Sequence, residues 1–391
     1  MAPVDAGELL QPETLRLIDS LGEADSLGDL VGLVSSLRAQ GHPTPRIHQA
    51  IEQVRLRRKA QAKFGHFAER MLFTEAGLEQ ATRLSVAAHH AGRIQRSGMS
   101  SIADLGCGLG GDSMAFGALG LVVEAIDSDA TTAALAAYNL APFDTVTVTH
   151  GLAEGTDLAS FDAIWLDPAR RTDSSSRLRP EHWSPPLSWA VEKASVMPAG
   201  IKLAPGLDHS SIPADGEAQW VSDRGSVVEL VYWSGALARP GISRSALVLG
   251  TEHAAEMSGS GPSENQPTGP LGEYLYEPDG AVIRAQLIGD LARSLEGWMV
   301  SPDIAYITSN QHTPTPFAQS FAVEEVLPLN QKAIQRWVRS AGIGALEIKK
   351  RGVDIDPAQF RQSLSLSGDN DATLFLTRLE GKRTAIVTTR T

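Results

Sequence analysis

The sequence predicts an α/β fold built on a doubly wound parallel sheet, with helices before it and a smaller α+β domain after it. First, residues 101–120 show an apolar strand, a glycine-rich turn and a helix in succession. Second, apolar strand segments alternate with helical segments from there to about residue 250, a pattern typical of such sheets. Third, strand and helix patterns resume at 271–391, after a polar stretch rich in glycine, proline and serine at 251–270. That stretch predicts a flexible linker or loop.

The region 1–95 is predicted to be helical. Apolar residues recur at helical spacing, and Thr74 is a plausible N-cap for the helix that leads to the first strand. A basic run within VRLRRKAQAK, 54–63, could contact phosphates or could form a solvated helix face. His89 and His90 are expected on a helix surface, since no partners at metal-ligand spacing follow them.

Composition limits the classes of function. The chain has 391 residues, and its formal net charge is −12, so any nucleic-acid site must be a local basic patch. No apolar run reaches membrane-spanning length, and the first residues lack the features of a secretory signal. The single cysteine, Cys107, excludes an internal disulfide framework and a cysteine-rich zinc site. We therefore expect a cytoplasmic protein of two or three domains, without a metal.

The glycine-rich turn, DLGCGLGGD, predicts a cofactor site. Glycines let a ligand lie against the backbone, and the helix that follows offers free N–H groups to an anion. An acidic residue, Asp127, ends the next strand about 20 positions later, the spacing that suits a ribose diol. The pattern fits the dinucleotide fingerprint and equally the acidic-x-G-x-G-x-G pattern of S-adenosylmethionine (SAM) methyltransferases. The glycines of the second pattern are Gly106, Gly108 and Gly110.

Asp104 favours SAM over a dinucleotide. Its carboxylate lies at the end of the first strand, where it can hold the ammonium group of SAM but would repel a pyrophosphate. Asp112, at the start of the helix, is a further cofactor-binding candidate, and Asp112 or Ser113 is expected to cap that helix.

The strand pattern gives a second indication for SAM. The last two predicted strands lack a helix between them and are expected to form a hairpin, as in the methyltransferase sheet. The predicted strands are 101–105, 121–126, 145–149, 162–166, 199–203, 226–233 and 243–249.

A second motif, AIWLDPARRT, ends the fourth strand. Ligands gather at the carboxyl ends of strands in this fold, so Asp167 is placed to face the transferable methyl group. Pro168 fixes the backbone and leaves a carbonyl free. The motif is similar to the D/N-P-P-aromatic motif of amino-methylating nucleic-acid methyltransferases, but Ala169 and Arg170 replace the second proline and the aromatic residue. Arg170 can stack on a base and hold a phosphate, and Arg171 extends the basic run.

The C-terminal region is predicted to be a small α+β domain. Residues 331–391 contain eleven basic and six acidic side chains, inside an acidic chain. Such segregation suggests phosphate contacts, with Lys349, Lys350 and Arg351 as candidates, although a basic surface without nucleic acid is the alternative.

Together these motifs resemble class I SAM-dependent methyltransferases with a THUMP-like C-terminal domain. The stretches that resemble the family are FAERMLFTEAGLEQATR, DLGCGLGGD, WLDPARR, YLYEPDGAVIRA and GIGALEIKKRGVDIDP. The resemblance implies a Rossmann-like, seven-stranded methyltransferase sheet at 96–250, SAM as the methyl donor, and RNA, either tRNA or rRNA, as the substrate class. Methylation of a small molecule or protein, and non-catalytic binding of SAM or RNA, remain alternatives. The sequence does not indicate an oligomeric state.

Overall fold

The computed structural model describes residues 6–22, 30–168, 183–251, 253–264 and 266–391. The chain divides into two compact units, one made of Met1–Leu203 with Val231–Ala238 and the other of Ala204–Leu230 with Arg239–Thr391. Within the described ranges, no helix combines the length and the apolar character that crossing a bilayer requires.

The first unit begins with helices, as predicted. Thr74 caps α5 as expected, because its hydroxyl accepts a hydrogen bond of 3.0 Å from the N–H of Gly77. The long helix α4 buries Ile47 and Phe64 in the core. The helices are α1 Ala6–Leu9, α2 Pro12–Gly22, α3 Leu30–Ala39, α4 Thr44–Phe64, α5 Glu75–Gln80 and α6 Leu84–Arg96.

Intramolecular partners engage much of the basic run on α4. Arg55 pairs with Glu52 at 2.7 Å, and the buried Arg57 pairs with Asp19 at 2.9 Å. Lys63 donates to three backbone carbonyls around the end of α5 at 2.7–2.8 Å. These contacts favour a structural role for the three side chains over contact with phosphates.

A parallel sheet forms the centre of the first unit. Its strands are β1 Ser101–Leu105, β2 Val122–Asp127, β3 Val146–His150, β4 Ala163–Leu166 and β5 Ala199–Leu203, in the order β3-β2-β1-β4-β5. Each neighbouring pair is parallel. The helices that follow these strands are α7 Gly111–Ala118, α8 Ala130–Leu140 and α9 Leu187–Ala194.

The expected hairpin between 226–233 and 243–249 is wrong. The strands there are β6 Glu217–Asp223, β7 Ser226–Ser234, β8 Arg244–Leu249 and β9 Ala254–Gly259. The sheet order continues from β5 as β7-β6-β8-β9, and β8 pairs in parallel with β6. The tight turn joins β6 to β7 through Arg224 and Gly225, which both have positive φ, as a hairpin turn requires. The sheet was expected to have seven strands and has nine, because β8 and β9 extend it beyond β6.

Strand β6 escaped prediction because its sequence, EAQWVSD, is largely polar. All seven residues are nevertheless buried. Internal partners satisfy the polar side chains: Arg239 and Ser245 both donate to the carboxylate of Glu217. The stretch 251–270, expected to be a flexible linker or loop, contains strand β9, which pairs antiparallel with β8.

The second unit contains a mixed sheet, in agreement with the α+β prediction. Its order is β11-β12-β10-β13-β16-β15-β14, and only β14 and β15 form a parallel pair among the pairs described. The long strand β13 was not predicted. These strands are β10 Tyr274–Pro278, β11 Trp298–Ser301, β12 Ile304–Ser309, β13 Ala318–Pro328, β14 Ile343–Lys350, β15 Asn370–Leu379 and β16 Lys382–Arg390. The helices of this region are α10 Gly280–Arg284, α11 Ile288–Ser294, α12 Gln331–Ser340 and α13 Pro357–Gln362.

Candidate functional site

The carboxyl ends of β1, β4 and β5 meet at one edge of the parallel sheet. Leu105 is in register with Leu166, which is in register with Ile201. The N–H of Asp167 donates to the carbonyl of Leu105 at 3.3 Å. The next position on each strand therefore brings Gly106, Asp167 and Lys202 together, where ligands gather in this class of fold.

The glycine turn passes directly beside the second motif. Gly106 has φ +95°, and a Cβ added there would lie 2.8 Å from the carbonyl oxygen of Asp167. Gly108 has φ +56°, and a Cβ there would have no atom within 4 Å. The turn is thus closed on the side of Asp167 and open at Gly108. The N-cap of α7 is Gly110, with no side-chain cap, so the expected capping by Asp112 or Ser113 is wrong.

Asp104 lies beneath this turn and is only 1% exposed. Its Oδ2 accepts a short hydrogen bond from the hydroxyl of Ser113, and its Oδ1 is buried with no partner in the part of the chain that the structure describes. Burial and the neighbouring carboxylate of Asp112 raise the pKa of Asp104 to about 8. A cation at the unpartnered oxygen would restore the ionised form.

Asp127 holds the turn from the second strand. Its Oδ2 accepts from the N–H of Gly108 at 3.0 Å, and its Oδ1 accepts from the N–H of Asp129 at 2.9 Å. Burial raises the pKa of this carboxyl. Each carboxylate oxygen has two acceptor positions, so both can still accept a hydroxyl.

Asp112 is committed to protein partners. It is 6% exposed, and its oxygens contact the hydroxyl of Thr82 at 2.7 Å and Nδ1 of His90 at 2.9 Å. Burial raises the pKa of Asp112, but the Lys202 ammonium and these two hydrogen bonds outweigh it, and the pKa lies below its usual range. We therefore assign Asp112 to support of the site. His90 is buried, so its expected surface position is wrong.

Lys202 is the functional candidate that sequence reasoning missed. Its ammonium makes a short contact with Asp167, donates to the hydroxyl of Thr82 at 2.7 Å and lies 3.6 Å from Asp112. The Lys202 side chain is 9% exposed, whereas that of Asp167 is 38% exposed. A lysine at the end of the apolar strand AGIKL was the available signal. Lys202 thus links the buried polar network to the more exposed carboxylate.

An aromatic layer supports this network. The His90 ring lies 4.5 Å from that of Trp165, which in turn lies 5.5 Å from that of Trp233. Trp165 is fully buried. Gly200 leaves room for it, because a Cβ there would lie 2.4 Å from the indole. The layer fixes the ring of His90 and with it one oxygen of Asp112.

Other predicted site residues have different placements. Pro168 is buried directly after Asp167, while Arg170 and Arg171 lie outside the described residues. Trp183, the first described residue after the second motif, is 3% exposed and therefore presents little surface to a base. Trp189 is half-buried beside the ammonium of Lys193.

The basic candidates of the C-terminal region differ in exposure. Lys349 contacts Glu277 at 2.5 Å and Glu347 at 3.3 Å. The guanidinium of Arg351 lies over the ring of Tyr306 at 5.4 Å. Lys350 is exposed. Lys349 is thus engaged with two carboxylates, and Lys350 is the most accessible of the three.

Comparison with known proteins identifies the family. An uncharacterized S-adenosylmethionine-dependent methyltransferase from Mycobacterium tuberculosis (strain H37Rv) is 30% identical over 346 residues, which cover 84% of this chain and 92% of the relative. Its counterpart from strain CDC 1551 matches equally. This chain belongs to the S-adenosylmethionine-dependent methyltransferases. The expected activity and the expected methyl donor are thereby confirmed.

Two further comparisons concern the fold and the C-terminal region. A family model described as THUMP domain-like matches residues 318–390 of this methyltransferase. A crystal structure of a proposed methyltransferase from Porphyromonas gingivalis W83 aligns over the whole of both chains with a TM-score of 0.75 and 19% identity. That likeness shows a shared fold. The expected methyltransferase fold and the THUMP-like region are therefore confirmed.

The residues of the turn fit the methyl donor. A buried carboxylate oxygen without a partner at Asp104 suits an ammonium group, and the backbone at Gly108 is open to a ligand. Asp127 has acceptor capacity left for hydroxyls.

Proposed function

We propose that this methyltransferase modifies a base in RNA, either tRNA or rRNA, at the edge formed by Gly106, Asp167 and Lys202. The observation that carries the proposal is the approach of the Asp167 backbone to the glycine turn, 2.8 Å from a Cβ position at Gly106. The acceptor-binding motif and the donor-binding turn are therefore neighbours, as methyl transfer requires.

Three residues hold the donor in this proposal. Asp104 accepts from the ammonium group, Asp127 accepts from the ribose hydroxyls, and the open backbone of Gly108 lies against the ligand, with Gly106 and Gly110 shaping the turn. When bound, SAM supplies a methyl group already activated on a sulfonium. The protein therefore contributes mainly alignment and the exclusion of water.

Asp167 orients the acceptor. Its exposed carboxylate accepts a hydrogen bond from the target amine, and Pro168 fixes the backbone whose carbonyl faces the same edge. Lys202 holds the carboxylate in place, and a neighbouring ammonium stabilises the ionised form. A carboxylate held in this way is suited to accept a hydrogen bond from an amine. We assign Arg170 and Arg171, which follow in the same motif, to contact with the base or its phosphate.

RNA is proposed as the substrate because of the C-terminal region. The THUMP-like match at 318–390 and the eleven basic side chains of 331–391 support an RNA contact, with Lys350 the most accessible of the predicted cations. Methylation of a small molecule or protein is the competing hypothesis. Phosphate contacts make binding steeply dependent on salt, so the salt dependence of substrate binding distinguishes the two.

The test is transfer of a radiolabelled methyl group from SAM to total cellular RNA, with and without nuclease treatment. Asp167→Ala should abolish transfer and leave binding of S-adenosylhomocysteine (SAH) largely intact, whereas Asp127→Ala should weaken SAH binding. Lys202→Met should lower kcat more than it raises the KM for SAM, and Lys202→Arg should restore part of the rate. The proposal would be contradicted if the labelled product survived nuclease treatment, since the acceptor would then not be RNA. Equal loss of SAH binding in Asp167→Ala and Asp127→Ala would also contradict it.

A further inference from the structure

Three basic side chains of the second unit, His209, Arg244 and Arg284, form a cluster. They lie on separate elements: His209 precedes β6, Arg244 begins β8, and Arg284 ends α10. We call them the cationic cluster. All three belong to the same compact unit.

The parallel pair β6 and β8 provides the floor of the cluster. Ala218 is in register with Arg244, and Trp220 is in register with Ala246. Side chains two positions apart in a strand point to the same face of a sheet. The guanidinium of Arg244 and the indole of Trp220 therefore rise from the same face as near neighbours.

Helix α10 crosses that face. At its beginning, Asp279 accepts from the hydroxyl of Ser222 at 2.9 Å. At its end, Arg244 donates to the carbonyl of Ala285 at 3.3 Å. The adjacent residue is Arg284, so the two guanidinium groups occupy the same end of the helix, and Asp279 occupies the other.

The segment 205–209 packs against Trp220 and lies close to Arg284. The indole N–H of Trp220 donates to the carbonyl of Pro205 at 3.2 Å, and the His209 ring stacks on the indole at 5.1 Å and 24°. The guanidinium of Arg284 lies 4.0 Å from the Cβ position of Gly206. Geometry alone therefore brings the imidazole and both guanidinium groups to one place.

The two arginines of the cluster form no ion pair within the described residues. In the part of the chain that the structure describes, neither Arg244 nor Arg284 forms an ion pair with a carboxylate, and Nε of Arg244 is buried without a partner. Asp208 directly precedes His209 in the chain, and its Oδ1 accepts from the N–H and hydroxyl of Ser210. Burial lowers the pKa of His209, and the charges of Arg244 and Arg284 lower it further against the opposing charge of Asp208.

We propose that the cationic cluster is a phosphate-binding site, which the backbone of the RNA substrate occupies. Among the described residues, Arg244 donates from Nη1 to Ala285 and Gln286 and keeps Nη2 for a ligand. Two guanidinium groups suit a phosphate, and the neighbouring imidazole becomes a further donor when it is protonated. An anion would also relieve the repulsion between the two guanidinium groups and favour protonation of the imidazole. The assignment to RNA rests on the proposed function, whereas the affinity for phosphate does not.

The first test measures binding of a fluorescent single-stranded RNA of about 15 nucleotides, by anisotropy, at a series of salt concentrations. Arg284→Gln removes an exposed side chain of the cluster. Arg224→Gln removes the same charge from the exposed β6–β7 turn and is the matched control. We expect Arg284→Gln to reduce the slope of log K against log salt by about 0.7, the value for one phosphate contact on a single strand. Arg224→Gln should keep the original slope, and Arg284→Lys should restore it in part.

The second test distinguishes the source of the phosphate. Inorganic phosphate should raise the pKa of His209, read from its imidazole resonances, and Arg284→Gln should remove that response. A response to inorganic phosphate without a change in the RNA slope would support a site for a small phosphate compound. If neither the slope nor the pKa of His209 responds, the proposal is overturned. SAH calorimetry and methyl transfer are measured on the same variants. Loss of RNA methylation with an intact phosphate response would reject only the proposed function.

Discussion

Substitution of Gly108 by alanine tests the position of the donor more directly than any other single change. A Cβ at this residue meets no protein atom within 4 Å, so the folded protein has room for it. The space it would fill is the space assigned to the ligand. We therefore expect the variant to fold and to lose affinity for SAH.

The loss of folding stability and the loss of SAH affinity in Gly108→Ala can both be worked out from the backbone at this residue and the space around it. Gly108 has φ +56°, and a left-handed conformation costs a residue with a Cβ about 1–2 kcal/mol. Packing adds nothing to that cost in the free protein. In the complex, the methyl group displaces the ligand, and a loss of about 1.4 kcal/mol in binding corresponds to a tenfold rise in Kd. We therefore expect the Kd of Gly108→Ala for SAH to rise by at least about tenfold.

Gly98→Ala is the matched control. Gly98 also has a positive φ, +80°, with no atom within 4 Å of its Cβ position, and it follows α6 on the surface. Chemical denaturation should show similar losses of unfolding free energy for both variants, and calorimetry with SAH should separate them. Wild-type SAH affinity in Gly108→Ala would show that the donor does not lie against this backbone, and the proposed site would have to be abandoned.

Three further predictions concern the same site. Gly106→Ala should destabilise the fold by about 1–3 kcal/mol more than Gly108→Ala, because its Cβ would lie 2.8 Å from the Asp167 carbonyl; equal unfolding free energies would contradict this. Asp104, whose pKa is raised to about 8 by burial and by Asp112, stabilises the fold below its unfolded pKa of about 4 and loses that contribution as the pH rises through about 8. Since an ammonium ligand needs the ionised carboxylate, SAH binding should release a proton at pH 7 and strengthen as the pH rises towards 8, which calorimetry in two buffers would detect; persistence of both effects in Asp104→Asn would refute the assignment. Thr82→Val should cost about 1–3 kcal/mol of stability, because Asp112 and Lys202 each lose a hydrogen bond of 2.7 Å, and should reduce methyl transfer with little change in SAH affinity; an unchanged rate in a stably folded variant would show that the network does not position Asp167.

The sequence determined the elements whose chemistry is local. The glycine turn, Asp104 before it and Asp127 at the next strand end follow from spacing within about 25 residues. Parallel strands bring their carboxyl ends to one edge, so the neighbourhood of Asp167 was predictable from strand periodicity alone.

Tertiary structure alone decided which polar side chains are buried and with what partners. Thr82 and Lys202 are 120 residues apart in the chain, yet they share a hydrogen bond of 2.7 Å. From the sequence alone, the polar residues of β6 and His90 are expected at the surface. They are buried because groups from distant parts of the chain supply their hydrogen-bond partners. No local pattern records those distant groups, and for that reason the network around Lys202 emerges only once the chain is folded.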